Sequence, residues 1–330
     1  MGNKLGAILK YTLSFAIAGA LLYFSFRNVD WDSFVNGLKQ TRWVWVGLSC
    51  ALGLLAFVLR GLRWNMLLKP LDKNISRMSS IAGACVANLV NCIIPYGGEI
   101  ARSGLLSTPG AGFGKILGTV ALERAWDIIF LGAVYFLVLF CDWGGAGSFF
   151  ADAIWIPLKA RFGGWVWAGV VLLALLLAAG IRAVLAFRST NRLCQRIYAF
   201  CAGVWNGFAS FTRMKKKGWF LLYSIGIWVC YWFMCVMIAM AFPAVGHIGV
   251  MDALLIMAAG SLSSLVPAPG GFGTYHYFVT LTLSGLFGVP WDTGIIYATL
   301  SHESQALNMI ITGSLGYLYL LLARKRPGRL

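Results

Sequence analysis

Two groups of residues in this sequence have types and spacings suited to chemistry. In the first, Arg60 and Arg63 stand three positions apart with Trp64 beside them, and Glu99 and Arg102 follow Pro95-Tyr96-Gly97-Gly98. Glu123, Arg124 and Asp127 complete it. On a helix Glu123 and Asp127 share a face, while Arg124 points about 100° away. Fixed guanidinium groups bind phosphate or carboxylate through paired N–H donors, and neighbouring carboxylates orient them. Arg102 and Arg124 are therefore the expected phosphate ligands, oriented by Glu99, Glu123 and Asp127. The second group joins Pro269, Gly270, Gly271, Gly273 and Tyr275 to His276, with His302-Glu303 further along. Histidine titrates near neutral pH, so His276, His302 and Glu303 are candidates for taking up a coupling proton.

Signals for enzyme chemistry are weak. None of the three histidines has a partner at H-E-x-x-H spacing. Pro109-Gly110-Ala111-Gly112-Phe113-Gly114-Lys115 lacks the G-x-x-x-x-G-K-[ST] spacing of a phosphate loop and reads as a flexible connection. His302-Glu303 has no nucleophile or metal ligand near it in sequence. The eight cysteines, mostly inside apolar runs, form no disulfide framework and read as small buried hydrophobes. No enzymatic activity, cofactor or metal site is expected.

What must position these residues is a membrane domain. Hydrophobic residues make up 59% of the 330 and charged ones only 12%, against roughly 25% charged in a soluble domain. A net charge of +16 would suit nucleic acid, but the basic residues fall in short clusters between apolar runs. That spacing is the cytoplasmic anchoring pattern, so anionic inner-leaflet lipids are the expected partner and nucleic acid is not.

Six complete spans are expected at 7–26, 43–68, 113–141, 165–187, 219–241 and 294–322. The first could pass for a signal peptide, but no small-x-small cleavage site ends it. Two further apolar segments are interrupted, 78–106 at Pro95-Tyr96-Gly97-Gly98 and 251–287 at Pro267-Ala268-Pro269-Gly270-Gly271. Halves of about 16 residues are short for a crossing, so each segment reads as a re-entrant helical hairpin or two short spans. With both termini inside, only Arg27, Lys39, Arg42, Lys159 and Arg161 of the 27 basic residues lie outside. The positive-inside rule thus sets an N-in, C-in orientation. Residues 188–217 form a basic segment, amphipathic over 191–212, expected on the cytoplasmic membrane surface.

The interrupted segments align with one another at an offset of 173, which places Gly97-Gly98 on Gly270-Gly271. Asn88 and Asn91 then fall opposite Ser261 and Ser264. Each segment lies between two spans, in repeats of about 43–141 and 219–322, and the two are entered from opposite sides. That is an inverted-topology repeat, a plan found among alternating-access transporters. Breaking a helix in lipid frees backbone groups that only protein or a water-filled cavity can satisfy. Half-helices starting near Gly98 and Phe272 would offer N-terminal donors to an anion.

The ordered motifs Arg60-x-x-Arg63-Trp64, Pro95-x-Gly97-Gly98-Glu99-x-x-Arg102, Glu123-Arg124-x-x-Asp127 and Pro267-x-Pro269-Gly270-Gly271-x-Gly273 carry a resemblance. Over nearly its whole length the chain resembles the transmembrane region of the lysylphosphatidylglycerol synthase/flippase family. The resemblance implies a bacterial inner-membrane protein that moves a lipid between leaflets. These 330 residues leave no room for the soluble aminoacyltransferase domain of the family's two-part members. Where the family commonly has an acidic residue after the second Pro-Gly-Gly, this chain has Thr274-Tyr275-His276-Tyr277. His302 and Gln305 are the expected other half of such a histidine variant. Loss of that fixed negative charge disfavours a cationic lysyl-lipid and leaves phospholipids and polyprenyl-phosphate carriers.

The expectation is thus an all-α polytopic membrane protein, an inverted repeat of six full spans and two re-entrant hairpins. It would flip a phospholipid or polyprenyl-linked lipid. The binding set is Arg60, Arg63, Asn88, Asn91, Gly97, Gly98, Glu99, Arg102, Glu123, Arg124, Asp127, Pro269, Gly270, Gly271, Gly273 and Tyr275. A small-solute or ion transporter, or a membrane-embedded lipid transferase, remains the alternative, and self-association is left open.

Overall fold

The computed structural model describes residues 2–27, 29–140, 165–187, 216–266 and 268–324, with isolated positions between 145 and 214. The described residues contain no strand. Eleven α-helices are described among them: α1 (Gly2–Phe26), α2 (Trp31–Lys39), α3 (Trp43–Leu68), α4 (Arg77–Ile93), α5 (Gly97–Leu105), α6 (Phe113–Phe140), α7 (Trp165–Phe187), α8 (Lys217–Ala241), α9 (Asp252–Leu262), α10 (Thr274–Phe287) and α11 (Trp291–Arg324). The segment 188–217, expected on the cytoplasmic membrane surface, lies mostly outside the described residues.

Every expected span is helical where it is described, but among the described residues only α3, α7, α8 and α11 are both long and apolar enough to cross a membrane on their own composition. Within α1 the apolar stretch whose side chains are described is short, Ser14–Phe26. Helix α6 has the length, at 28 residues, but carries Glu123, Arg124 and Asp127 near its middle. Charges there are costly in lipid unless they meet partners, so α6 depends on its neighbours for the charges near its middle.

Local sequence sets the breaks. Ser76 caps α4, its hydroxyl accepting from the Ser79 N–H at 3.0 Å. Pro95 stops α4 by forcing Ile94 into an extended conformation, φ −120° and ψ 108°. Tyr96 then turns left-handed at φ 60° before α5 begins. At the second break α9 runs into a short 3-10 turn, Ser263–Leu265. A second such turn, Pro269–Gly271, precedes α10. Gly270, Gly271 and Gly273 there have φ of 60°, 79° and 76°, which L side chains adopt only with strain.

The buried core is divided. One part, including Val46, Ile238, Ile256, Val279 and Ile295, joins α3, α8, α9, α10 and α11. Another, built on Trp64, Leu68, Val86, Ile116 and Leu320, joins α3, α4, α6 and α11 around the first break. Small residues let these helices approach closely. A Cβ on Gly61 would collide with the Ile81 backbone, and one on Gly316 would lie 2.9 Å from the Ala82 carbonyl oxygen. Outside the apolar layers, the Thr108 hydroxyl donates to Asp72 at 2.6 Å and ties the loop after α5 to the loop after α3. With the Asn74 N–H, it holds the Asp72 carboxyl below the usual range. The described cysteines, Cys50, Cys85, Cys92, Cys194, Cys230 and Cys235, are free thiols.

Candidate functional site

The first group of residues converges from three helices. Helix α3 supplies Arg60 and Arg63, α5 supplies Glu99 and Arg102, and α6 supplies Glu123, Arg124 and Asp127. Arg102 and Glu123, each 2% exposed, pair at 2.8 Å. Arg63, fully buried, lies 3.6 Å from Glu123 and 2.8 Å from Asp127. Arg124 pairs with Glu99 at 2.7 Å and approaches Asp127 at 3.9 Å. The i,i+4 spacing on α6 thus presents Glu123 and Asp127 together to Arg63.

Aromatic faces complete the burial of the arginines. The Arg102 guanidinium sits 4.4 Å from the centre of the Trp64 ring, a cation–π contact. Trp64 is held by donating its indole N–H to Thr119 at 3.0 Å. Arg63 lies 5.8 Å from the Phe220 ring centre and donates to the Ser224 hydroxyl at 3.3 Å. Four arginines therefore face three carboxylates. Arg60 is the surplus cation: it donates to the Tyr231 hydroxyl at 3.4 Å, and among the described residues no carboxylate lies within 4.0 Å of it.

The first break supports this cluster differently from the sequence expectation. The Gly98 N–H, expected to be free for an anion, donates to the Asn91 side chain at 2.8 Å. The Gly97 N–H donates to the Ile94 carbonyl at 2.9 Å. Asn91 also reaches Glu99 at 3.5 Å, so the first turn of α5 is already occupied by protein oxygens. Gly98 is a packing glycine, since a Cβ there would strike the Ala87 carbonyl. Asn88 is buried on α4.

The second group gathers on α10 and α11. His302 Nδ1 lies 3.0 Å from Glu303 Oε1, and its Nε2 lies 3.0 Å from the Gly270 carbonyl oxygen. His276 Nε2 lies 3.6 Å from the same Glu303 oxygen. His276 is 2% exposed, His302 10% and Glu303 44%. Tyr275 hydrogen-bonds Ser301 at 2.8 Å. Pro269 is buried, and a Cβ on Gly273 would come within 2.8 Å of the Leu22 nitrogen on α1.

The two breaks touch. Tyr96 donates its hydroxyl to the Ser264 carbonyl at 3.1 Å, and a Cβ on Gly270 would lie 3.3 Å from the Cys92 Cα.

Compared with known families, residues 11–313 match the sequence model for the lysylphosphatidylglycerol synthase transmembrane region. The chain belongs to that family. No curated protein and no solved structure matches it. As a family member with several long apolar helices it is a multi-pass membrane protein related to membrane lipid. The family match includes every residue of both clusters.

One expectation about the histidines is corrected. Gln305 does not join His302; its amide donates to the Ser49 carbonyl at 3.4 Å and accepts from Asn308 at 3.2 Å. The small Gly53 on α3 leaves the space that draws Gln305 away. Sequence reasoning missed Tyr231, Ser224, Phe220 and Thr119, whose only signal was polarity or aromaticity in an apolar run. A cavity of about 630 Å³ lies elsewhere, lined by Leu21, Phe24, Arg27, Tyr277, Trp291 and Asp292. No residue of either cluster lines it, and the converged charges in this family member make the stronger candidate site.

Proposed function

We propose that this family member moves an amphipathic lipid with an anionic phosphate head, a phospholipid or polyprenyl-phosphate lipid, between the leaflets of the bacterial inner membrane. The observation that carries the reading is the surplus positive charge at the first break. Buried charge sets in membrane proteins usually balance, because an unpaired ion in a low-dielectric region is costly. Here Arg60 is half-buried, and among the described residues its one hydrogen-bond partner is a neutral hydroxyl, with Asp127 and Glu123 acting on it from beyond contact distance, so an anion would complete the set. Arg124, 40% exposed, is the other reachable guanidinium. Arg102 is sealed against Glu123 and Trp64 and acts as the scaffold for both.

The two interrupted segments act as re-entrant hairpins of an inverted repeat, with both termini cytoplasmic. At the offset of 173, α4 falls on α9 together with the turn after it, and the left-handed residues Tyr96 and Gly270 fall one position apart. Contact between the breaks favours a head-group path where the halves meet. Cysteines introduced at exposed Asp30 and Asp152 should react with an impermeant thiol reagent in intact cells, and one at Lys216 only after lysis. Labelling of position 216 in intact cells would overturn the orientation.

Native mass spectrometry of the purified protein should detect a co-purifying phosphorus-containing lipid, weakened by Arg60→Gln. Proteoliposomes should exchange labelled phospholipid or polyprenyl phosphate between leaflets faster than protein-free vesicles, and Arg60→Gln should slow that exchange by about tenfold or more, the factor for about 1.4 kcal/mol. Wild-type exchange no faster than in protein-free vesicles would refute lipid translocation. Retained activity in Arg60→Gln would refute the surplus-charge argument.

A further inference from the structure

The histidine cluster has an electrostatic problem that points to a ligand. The Gly270 carbonyl oxygen, 3.0 Å from His302 Nε2, can only accept, so that nitrogen carries the ring proton. In the neutral ring Nδ1 is then a lone pair, and it lies 3.0 Å from Glu303 Oε1. His276 Nε2 approaches the same oxygen at 3.6 Å. Two imidazole nitrogens and a carboxylate oxygen converge, all within 4.8 Å of one another. A lone pair facing a carboxylate oxygen at that distance is repulsive unless positive charge sits between them.

We propose that His276 Nε2, His302 Nδ1 and the Glu303 carboxylate bind a divalent transition-metal ion of the zinc type. Four features carry this. Tetrahedral ligands at bond lengths of about 2.0–2.1 Å stand roughly 3.3 Å apart; the two histidine–carboxylate separations, 3.0 and 3.6 Å, bracket that spacing, and all three ligand atoms lie within 4.8 Å of one another. A metal-bound histidine commonly donates its other ring N–H to a backbone carbonyl, which fixes the tautomer; Gly270 does this for His302. Gly270 can hold its carbonyl there because its φ of 60° suits glycine. Burial is graded: the two imidazoles are 2% and 10% exposed, and Glu303 is 44% exposed. That leaves an approach and a fourth coordination position for water or an anionic oxygen.

The donor set also bears on which metal. Two imidazoles favour zinc and its transition-metal neighbours, whereas magnesium and calcium prefer all-oxygen sites. Sequence spacing hid the arrangement, because His276 and His302 come from different helices and meet only when α10 packs against α11.

Purified full-length protein, stripped with a chelator and dialysed, should bind one Zn²⁺ per chain by elemental analysis. Titration with Co²⁺ should give the visible absorption of a four-coordinate ion, bleached by added Zn²⁺. His276→Asn and His302→Asn should each weaken Co²⁺ binding by more than about 100-fold, beyond the 10–100-fold cost of losing an outer partner. Glu303→Gln, at the exposed ligand, should weaken it too and provides the test if a buried histidine variant does not fold. Exposed His247 lies elsewhere, and His247→Asn should leave binding unchanged. Wild-type protein that retains no zinc and shows no Co²⁺ band would overturn the proposal and leave the cluster holding a proton. So would parental stoichiometry in the double histidine variant.

Discussion

The two breaks solve the problem of polar groups in an apolar layer in opposite ways. At the first, permanent cations meet permanent anions: Arg63, Arg102 and Arg124 each contact a carboxylate within 4.0 Å. Arginine cannot shed its proton in a protein, so its burial requires a counter-charge. At the second, imidazole nitrogens face a carboxylate and a carbonyl, and no permanently charged cation takes part. The first cluster lacks one negative charge; the second lacks a positive one. If both proposals hold, two ligand positions of opposite sign lie close to one another, each built from residues whose protonation suits it.

The largest expected effect separates the clusters by burial. Glu123→Leu leaves Arg63 and Arg102 sharing what remains of the counter-charge, in a place that is 0–2% exposed. Removing one partner of a buried ion pair costs about 3–5 kcal/mol. In chelator-stripped protein, Glu303→Leu acts at a carboxylate that is 44% exposed, where solvent screens the loss to about 1 kcal/mol or less. Unfolding midpoints in detergent measure both, and equal costs would mean that the clusters do not differ in this way.

The next contrast lies in the glycines. Gly98→Ala drives a methyl group into the Ala87 carbonyl, and backbone cannot step aside as a side chain can, so about 1–3 kcal/mol is expected. At Gly271 the nearest atom to an added Cβ is 3.6 Å away. The cost there is conformational, from φ 79°, about 1–2 kcal/mol. A D-alanine at position 271, introduced by semisynthesis, should be tolerated better than L-alanine, because a positive φ suits the D configuration. A D-alanine variant no more stable than Gly271→Ala would show that φ is not the source of the cost.

Much of this was legible in the sequence, for reasons that differ by residue. Apolar runs of 20 or more residues specify helices because lipid leaves the backbone little choice, and Pro95 and Pro269 mark the breaks by local sterics. The partners within the first cluster were partly legible, since Glu123 and Asp127 at i,i+4 must share a face. Which arginine each meets was not, because that depends on how α3, α5 and α6 pack. Two readings failed through local capture: Asn91 takes the Gly98 N–H that looked open to an anion, and Ser49 takes the Gln305 amide expected beside His302. Neighbours a few residues or one helix away outcompete a ligand for a free polar group, and spacing alone does not reveal them. The charges on α6 were visible, but not that they set it apart from the four self-sufficient spans.

The smallest effect on stability should come with a large effect on transport, and it discriminates between two roles for Arg124. This side chain is 40% exposed and pairs with Glu99, itself 13% exposed, at 2.7 Å. Solvent screening limits such a pair to about 1 kcal/mol or less, so Arg124→Gln should barely move the unfolding midpoint. If Arg124 serves only to neutralise Glu99, then removing both charges in Arg124→Gln/Glu99→Gln should restore lipid exchange. The proposed function requires the other outcome. A guanidinium that itself meets the phosphate is not replaced by deleting its carboxylate, so the double variant should stay as slow as Arg124→Gln. Glu99→Gln alone should then exchange lipid at or above the parental rate, because it frees Arg124 from its competitor. A double variant restored to parental rate would reduce Arg124 to a counter-ion and leave Arg60 as the one contact to the lipid head.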